Sequence, residues 1–267
     1  MKIKNPAVAG MFYPDNKDQL AGLVSKLLAD NQHLQPESGV HPEVIPKAVI
    51  VPHAGLIYSG AIAALAYNRL RAYTDSIKRV VMMGPSHRVP LSSIASLRAD
   101  QWRTPLGDVQ LDTAFTRELE ETGLVTVNDS AHAQEHCLEV QLPFLQNIGL
   151  DKAVVPLVVG HVDARQVAAV VEYVMASEDT LLVISSDLSH FHSYDEARDI
   201  DADTSSHIER LNPDIKPEQA CGCFAMNGLL LSAKQLGLTV EKLGICNSGD
   251  TAGDKSRVVG YAAYAFC

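Results

Sequence analysis

Residues 180–192 read "TLLVISSDLSHFH". Leu181 to Ile184 are apolar without a break, and then come Ser185, Ser186, Asp187, His190 and His192. A short continuous apolar run suits a strand buried on both faces. The ionisable residues then fall just past its carboxyl end. Two other segments share this design. "KAVIVPH" (47–53) is apolar to Val51 and ends at His53, and "RVVMMGPSH" (79–87) ends at His87. In a parallel sheet the carboxyl ends of strands share one edge, where ligands bind. The three segments therefore predict a parallel core and one site drawn from His53, His87, Asp187 and His190.

The rest of the chain fits around that core. Asp15 is a candidate cap for a helix to about Asp30, with Leu20, Leu23, Leu27 and Leu28 as its stripe. Residues 31–46 read as a polar surface connection. "AIAALAYNRLRAY" (61–73) is rich in helix formers, and a hairpin is expected across Pro105–Gly107. "DTAFTRELEETG" is amphipathic, with Gly123 as its C-terminal stop. "EHCLEVQLPFLQNIG" reads as helix to about Gly149, with Pro143 kinking it or lying near an end. "AVVPLVVG" (153–160) is a further strand, residues 164–178 and stretches at 195–212 and 217–235 read as helices, and "SRVVGYAAYAF" closes the sheet. Strands alternating with helices predict one α/β domain over 1–267, three-layered, with a mixed, largely parallel sheet between helices.

Composition narrows the function. Apolar residues make up 46% of the 267, enough for a full core, and the formal charge is −10. With no long basic run, nucleic acid and anionic membrane are poor partners. Cys137, Cys221, Cys223, Cys246 and Cys267 are odd in number and lack framework spacing, and "CGC" is too tight for a zinc knuckle. Pro6 and Pro14 interrupt any signal-like stretch in "MKIKNPAVAGMFYP". A reduced, soluble, cytoplasmic protein is expected.

Two imidazoles and a carboxylate are a ligand set for non-haem iron and for many zinc sites. His53 and His87 would give the imidazoles. Asp250, in the turn-rich "CNSGDTAGD" (246–254), would give the carboxylate, with Cys246 as the alternative donor. The same turn could simply cap its own backbone. His190 is the acid/base candidate, since imidazole titrates near neutrality. Asp187 would orient His190 or back a ligand histidine, and His136 could reach the pocket as a donor. His192 is read as a surface residue. A divalent metal follows, iron(II) favoured, with zinc or copper as the other possibilities.

Other patterns compete. "HAQEH" places His132, Glu135 and His136 in H-x-x-E-H spacing, a zinc-protease pattern if one helix carries all three. Serines beside histidines suggest a Ser–His–Asp hydrolase, but the G-x-S-x-G elbow is missing. Walker A and Rossmann glycine patterns are also missing.

The ordered set "NPAVAGMFYP", "VPHAGLIYSG", "GPSHRVP", "TPLGDVQLD", "EHCLEVQLPFL", "SSDLSHF", "ACG" and "SGDTAGDKSRVVGYAAYAF" resembles the Memo family from about residue 5 to the C-terminus. That resemblance implies a fold similar to class III extradiol dioxygenases, non-haem iron enzymes. It implies His53 and His87 as metal ligands, Asp187 and His190 as pocket residues, and His136 as a substrate-side histidine. Where the dioxygenases have a glutamate ligand and eukaryotic relatives a cysteine, "SGD" puts Asp250, with Cys246 nearby. Bacterial and archaeal relatives accompany radical-SAM and AMMECR-type proteins, which implies a pathway link to them. The expectation is a metal-dependent oxidoreductase acting on a small molecule. The alternative is a metal- or ligand-binding protein without turnover that works through protein partners.

Overall fold

The computed structural model describes residues 1–32 and 44–267, so most of the connection read at 31–46 lies outside the described residues. The first half contains β1 (Ile3–Lys4), α1 (Lys17–Asp30), β2 (Ala48–Val51), α2 (Leu56–Leu70), β3 (Arg79–Pro85), β4 (Ile94–Ser96), β5 (Gln101–Thr104), β6 (Gly107–Gln110) and α3 (Thr113–Glu121). Then come β7 (Thr126–Val127), α4 (Asp129–Ala133), α5 (Leu142–Ile148), β8 (Val154–Val159), α6 (Ala164–Met175), β9 (Thr180–Ser185) and β10 (His190–His192). The chain closes with α7 (Tyr194–Glu209), α8 (Cys223–Leu236), β11 (Val240–Asn247) and β12 (Val258–Phe266).

β2, β9, β3 and β8 lie side by side and run parallel. β12 pairs antiparallel with β2, with β11 and, at its start, with β10. β4 and β7 extend the other edge. A small separate sheet joins β1 to the β5–β6 hairpin, which turns across Pro105 and Leu106 as expected. The main sheet is thus mixed with a parallel centre.

Period-two alternation explains the layers. Val49, Val51, Val80, Met82, Leu181 and Val183 enter one apolar cluster with α1, α2 and α5. Ala48, Ile50, Val81, Met83, Leu182 and Ile184 enter the other, with α3, α6 and α8. Each large apolar side chain so buried contributes about 1.5–3 kcal/mol. Helices cover both faces of the sheet, so the loops after the parallel strands are left at its carboxyl edge.

Some elements differ from the sequence reading. Asn16, and not Asp15, caps α1, its side chain accepting from Asp18 N and Gln19 N. The helix expected across 135–149 is broken. α4 ends at Ala133, residues 139–141 form a 3₁₀ turn, and Pro143 lies in the first turn of α5, where its missing N–H costs nothing. The helix expected from 217 begins only at Cys223. β11 was not anticipated, because Glu241, Lys242 and Gly244 interrupt its apolar pattern.

The broken segment also anchors the N-terminus. Buried Glu139 accepts from Val8 N (2.9 Å) and Tyr13 Oη (2.7 Å), with Lys4 Nζ at 3.6 Å. Among the described residues, no helix is long and apolar enough to cross a membrane.

Candidate metal centre

His53 leaves β2 fully buried, and its ring state follows from its neighbours. Ser185 Oγ donates its one proton to Cys137 O (2.7 Å) and accepts from Gln141 Nε2 (2.9 Å). Toward His53 Nδ1, 2.9 Å away, it can only accept. Nδ1 therefore carries the proton, and Nε2 presents a lone pair. Burial, then the neighbouring His87 and His136, hold His53 well below its ordinary range, so it stays neutral, as a metal ligand must. Asp187 Oδ1 accepts from His53 N at 2.7 Å and fixes the backbone.

His87 follows β3. Its Nδ1 lies 2.8 Å from Glu135 Oε1, and its backbone N donates to Oε2 at 2.6 Å. Burial pushes the Glu135 carboxyl up, but the hydrogen bonds from His136 and His87 outweigh this and hold it far below the ordinary carboxylate range. An ionised carboxylate accepts only, so His87 Nδ1 donates and its Nε2 is free. A carboxylate behind an imidazole is the usual support of a metal-binding histidine.

His136 is the third member. Its ring stacks on His87 with centroids 4.6 Å apart, and Phe12 packs 4.6 Å from it on the anchored N-terminal segment. His136 Nδ1 is 3.2 Å from Glu135 Oε1 but is buried without a hydrogen-bond partner. Ring nitrogens of His53, His87 and His136 lie within 4.8 Å of one another, and a metal ion could be held there. His87, Glu135 and Cys137 form an overlapping group. This donor set fits a metal on two grounds: His53 and His87 both present Nε2 lone pairs, the one on His53 met by the Cys221 thiol at 3.3 Å, and one buried imidazole nitrogen is orphaned.

The expected third donor is elsewhere. Among the described residues, neither Asp250 nor Cys246 joins a group with His53 and His87. Asp250 is exposed, and its carboxylate accepts from Tyr194 Oη (2.6 Å) and Asn247 N (3.1 Å). It caps its own turn, as Asp in a Gly-rich turn readily does. Cys246 lines a cavity of about 280 Å³ with Arg198, Asp201 and Asp250.

Asp187 follows the end of β9, and His190 opens β10. Asp187 is buried, and burial pushes its carboxyl up. His190, partly exposed on β10, is close enough to add to the field at His53 and Asp187. Next to it, Phe191 has φ 64° and is 60% exposed. His192 is partly exposed on the same short strand. The zinc-protease arrangement is not formed. α4 stops at Ala133, and His132 Nε2 is 2.9 Å from Ala95 O, facing β4.

A family model described as "Memo-like protein" matches residues 4–265. The chain belongs to the Memo family. It is 37% identical to a MEMO1 family protein of Aquifex aeolicus over 100% of both chains. It is 36% identical to one of Thermoplasma volcanium, over 99% of this chain and 98% of that one. Against one of Methanocaldococcus jannaschii it is 34% identical, over 98% of each. In this Memo chain, "VPHAG", "GPSHR" and "EHCLEV" supply the three histidines. Glu135, Ser185 and Gln141 carry no local sequence signal for these supporting roles, and the H-x-x-E-H spacing points Glu135 to the protease pattern instead.

Proposed function

We propose that this Memo-family protein is a metal-dependent oxidoreductase acting on a small molecule, with its metal held by His53, His87 and His136 and iron(II) favoured. The observation that carries this is the trio of imidazoles at the sheet's carboxyl edge, with Ser185 and Glu135 behind two of them. Imidazole donors suit iron, zinc, copper and nickel. The preference for iron rests on the family's resemblance to non-haem iron dioxygenases. The ion, when bound, would supply Lewis-acid and redox chemistry.

The protein's own residues do the rest. Glu135 orients His87 and strengthens it as a donor. Ser185 fixes the tautomer of His53, and Asp187 holds its backbone. Phe12 covers one side of His136 and excludes water there. His190, at the partly exposed rim, takes or gives a proton at an imidazole nitrogen, the general acid/base of the site.

The test is oxygen consumption by protein loaded anaerobically with iron(II), offered catechols and other chelating diols. The expected result is iron-dependent consumption that is lost in His53→Ala and reduced in His190→Ala with iron content unchanged. Iron bound at one equivalent with no turnover of any diol would contradict the oxidoreductase and favour a metal-binding protein.

A further inference from the structure

None of the roles above uses Asp201. It is a carboxylate of α7, 3% exposed, and burial pushes its carboxyl up. A charge so placed is costly unless it is hydrogen-bonded. Its Oδ1 accepts from Ser189 N at 2.9 Å. That amide belongs to the loop that leads from β9 to His190. β12 grips the same loop: Leu188 N donates to Gly260 O and Gly260 N to Ser189 O, both at 2.8 Å. Gly260 makes room for the carboxylate. A Cβ there would lie 2.0 Å from Asp201 Oδ2 and 2.5 Å from its Cγ. A glycine inside a strand marks such a close approach.

Just beyond Ser189 the ladder slips by one residue. His190 pairs with Val259 and His192 with Val258, so Phe191, at φ 64°, is bulged out between them. Paired residues share a face, and the consecutive Val258 and Val259 face opposite ways. The two histidines therefore face opposite sides, although residues two apart on a regular strand share one. A bulge re-aims side chains in this way, and this one opens directly after the residue that Asp201 holds.

We infer that Asp201 is the positioning residue of His190: its carboxylate, lodged against Gly260, fixes Ser189 N, which sets the bulge and turns the His190 ring to the metal centre. This rests on the reading of His190 as the general acid/base. The hold requires an acceptor oxygen, so asparagine serves and alanine does not. Without the acceptor, Ser189 N is a buried donor with no partner, and the loop shifts to satisfy it. A misplacement of about 1 Å is enough to cost about 100-fold in a chemical step.

Nuclear Overhauser contacts of isotope-labelled histidines in metal-free protein read the aim without turnover. Asp201→Asn should keep the contacts of the His190 ring. Asp201→Ala should change them and keep the T-shaped contact of His53 with His87, whose centroids are 5.2 Å apart. Gly260→Ala, which expels the carboxylate from the other side, should match Asp201→Ala. His190 contacts unchanged in Asp201→Ala, or lost together with the His53–His87 contact, would overturn the inference. If neither alanine variant folds, hydrogen exchange in the wild type decides. Ser189 N–H protected by about 100-fold or more supports the hold, and exchange at the rate of an open loop overturns it. With iron(II) and catechol, Asp201→Ala should lower kcat by about 100-fold, Asp201→Asn should restore it, and adding Asp201→Ala to His190→Ala should cost nothing more. Additive losses overturn the inference. A wild type that turns over no diol contradicts the oxidoreductase alone, and the ring contacts then decide the positioning.

Discussion

Glu135 holds a negative charge at 1% exposure because two imidazoles answer it. Replacing it with glutamine keeps the shape but removes the charge that makes His87 a strong donor. Glu135→Gln should lower zinc affinity by about 10–100-fold, read by competition with a chromophoric chelator. Unchanged affinity would mean that the carboxylate only fills space. His132, one turn earlier, makes an independent prediction. Burial lowers it from 6.5 to about 4, so the fold favours its neutral form. Its contribution is complete above pH 6.5 and is lost as pH falls to about 4, since the unfolded chain takes up the proton first. The loss is up to about 3 kcal/mol. His132→Gln, which keeps a donor for Ala95 O, should flatten urea-unfolding stability between those pH values. An equally steep acid limb would contradict this.

Among the elements, the 134–141 segment organises most of the site, and it was the least readable in the sequence. Its apolar spacing fits one long helix. The structure breaks that helix so that Glu135 faces His87, His136 turns to His53, and Glu139 turns back to the N-terminus. These are long-range pairings, |i−j| of 48 for Glu135–His87 and 131 for Glu139–Val8, which local periodicity cannot report. By contrast, His53 and His87 were legible, because a continuous apolar run ending in a histidine is a local pattern. Asp250 misled because a turn aspartate looks the same whether it caps its backbone or binds a cation. Glu139→Ala would leave the buried donors of Val8 and Tyr13 unpaired and the Lys4 ammonium without its carboxylate. It should cost about 3–5 kcal/mol in denaturant unfolding and loosen Phe12 over the site. A cost below about 1 kcal/mol would show that the N-terminus is held by its apolar contacts alone.

For the whole molecule, the parallel centre β2–β9–β3–β8 fixes where chemistry can occur. Both faces are sealed by helices, so residues from strands far apart in sequence meet at one edge. The fold class and that edge were readable from three strand endings. The pairing of β11 with β12 was not, because its apolar pattern is broken. A site assembled from three separate segments also ties metal binding to folding, since the unfolded chain holds no such trio. An ion at 100 times its dissociation constant should add about 2.7 kcal/mol to stability, and chelation should remove it. The central claim is the identity of the donors, and the most direct test is the metal content of untagged protein equilibrated with zinc or iron(II). One equivalent in the wild type and in Asp250→Ala, with loss in His53→Ala, His87→Ala and His136→Ala, is the predicted result. Full metal retained in both His53→Ala and His87→Ala would contradict it.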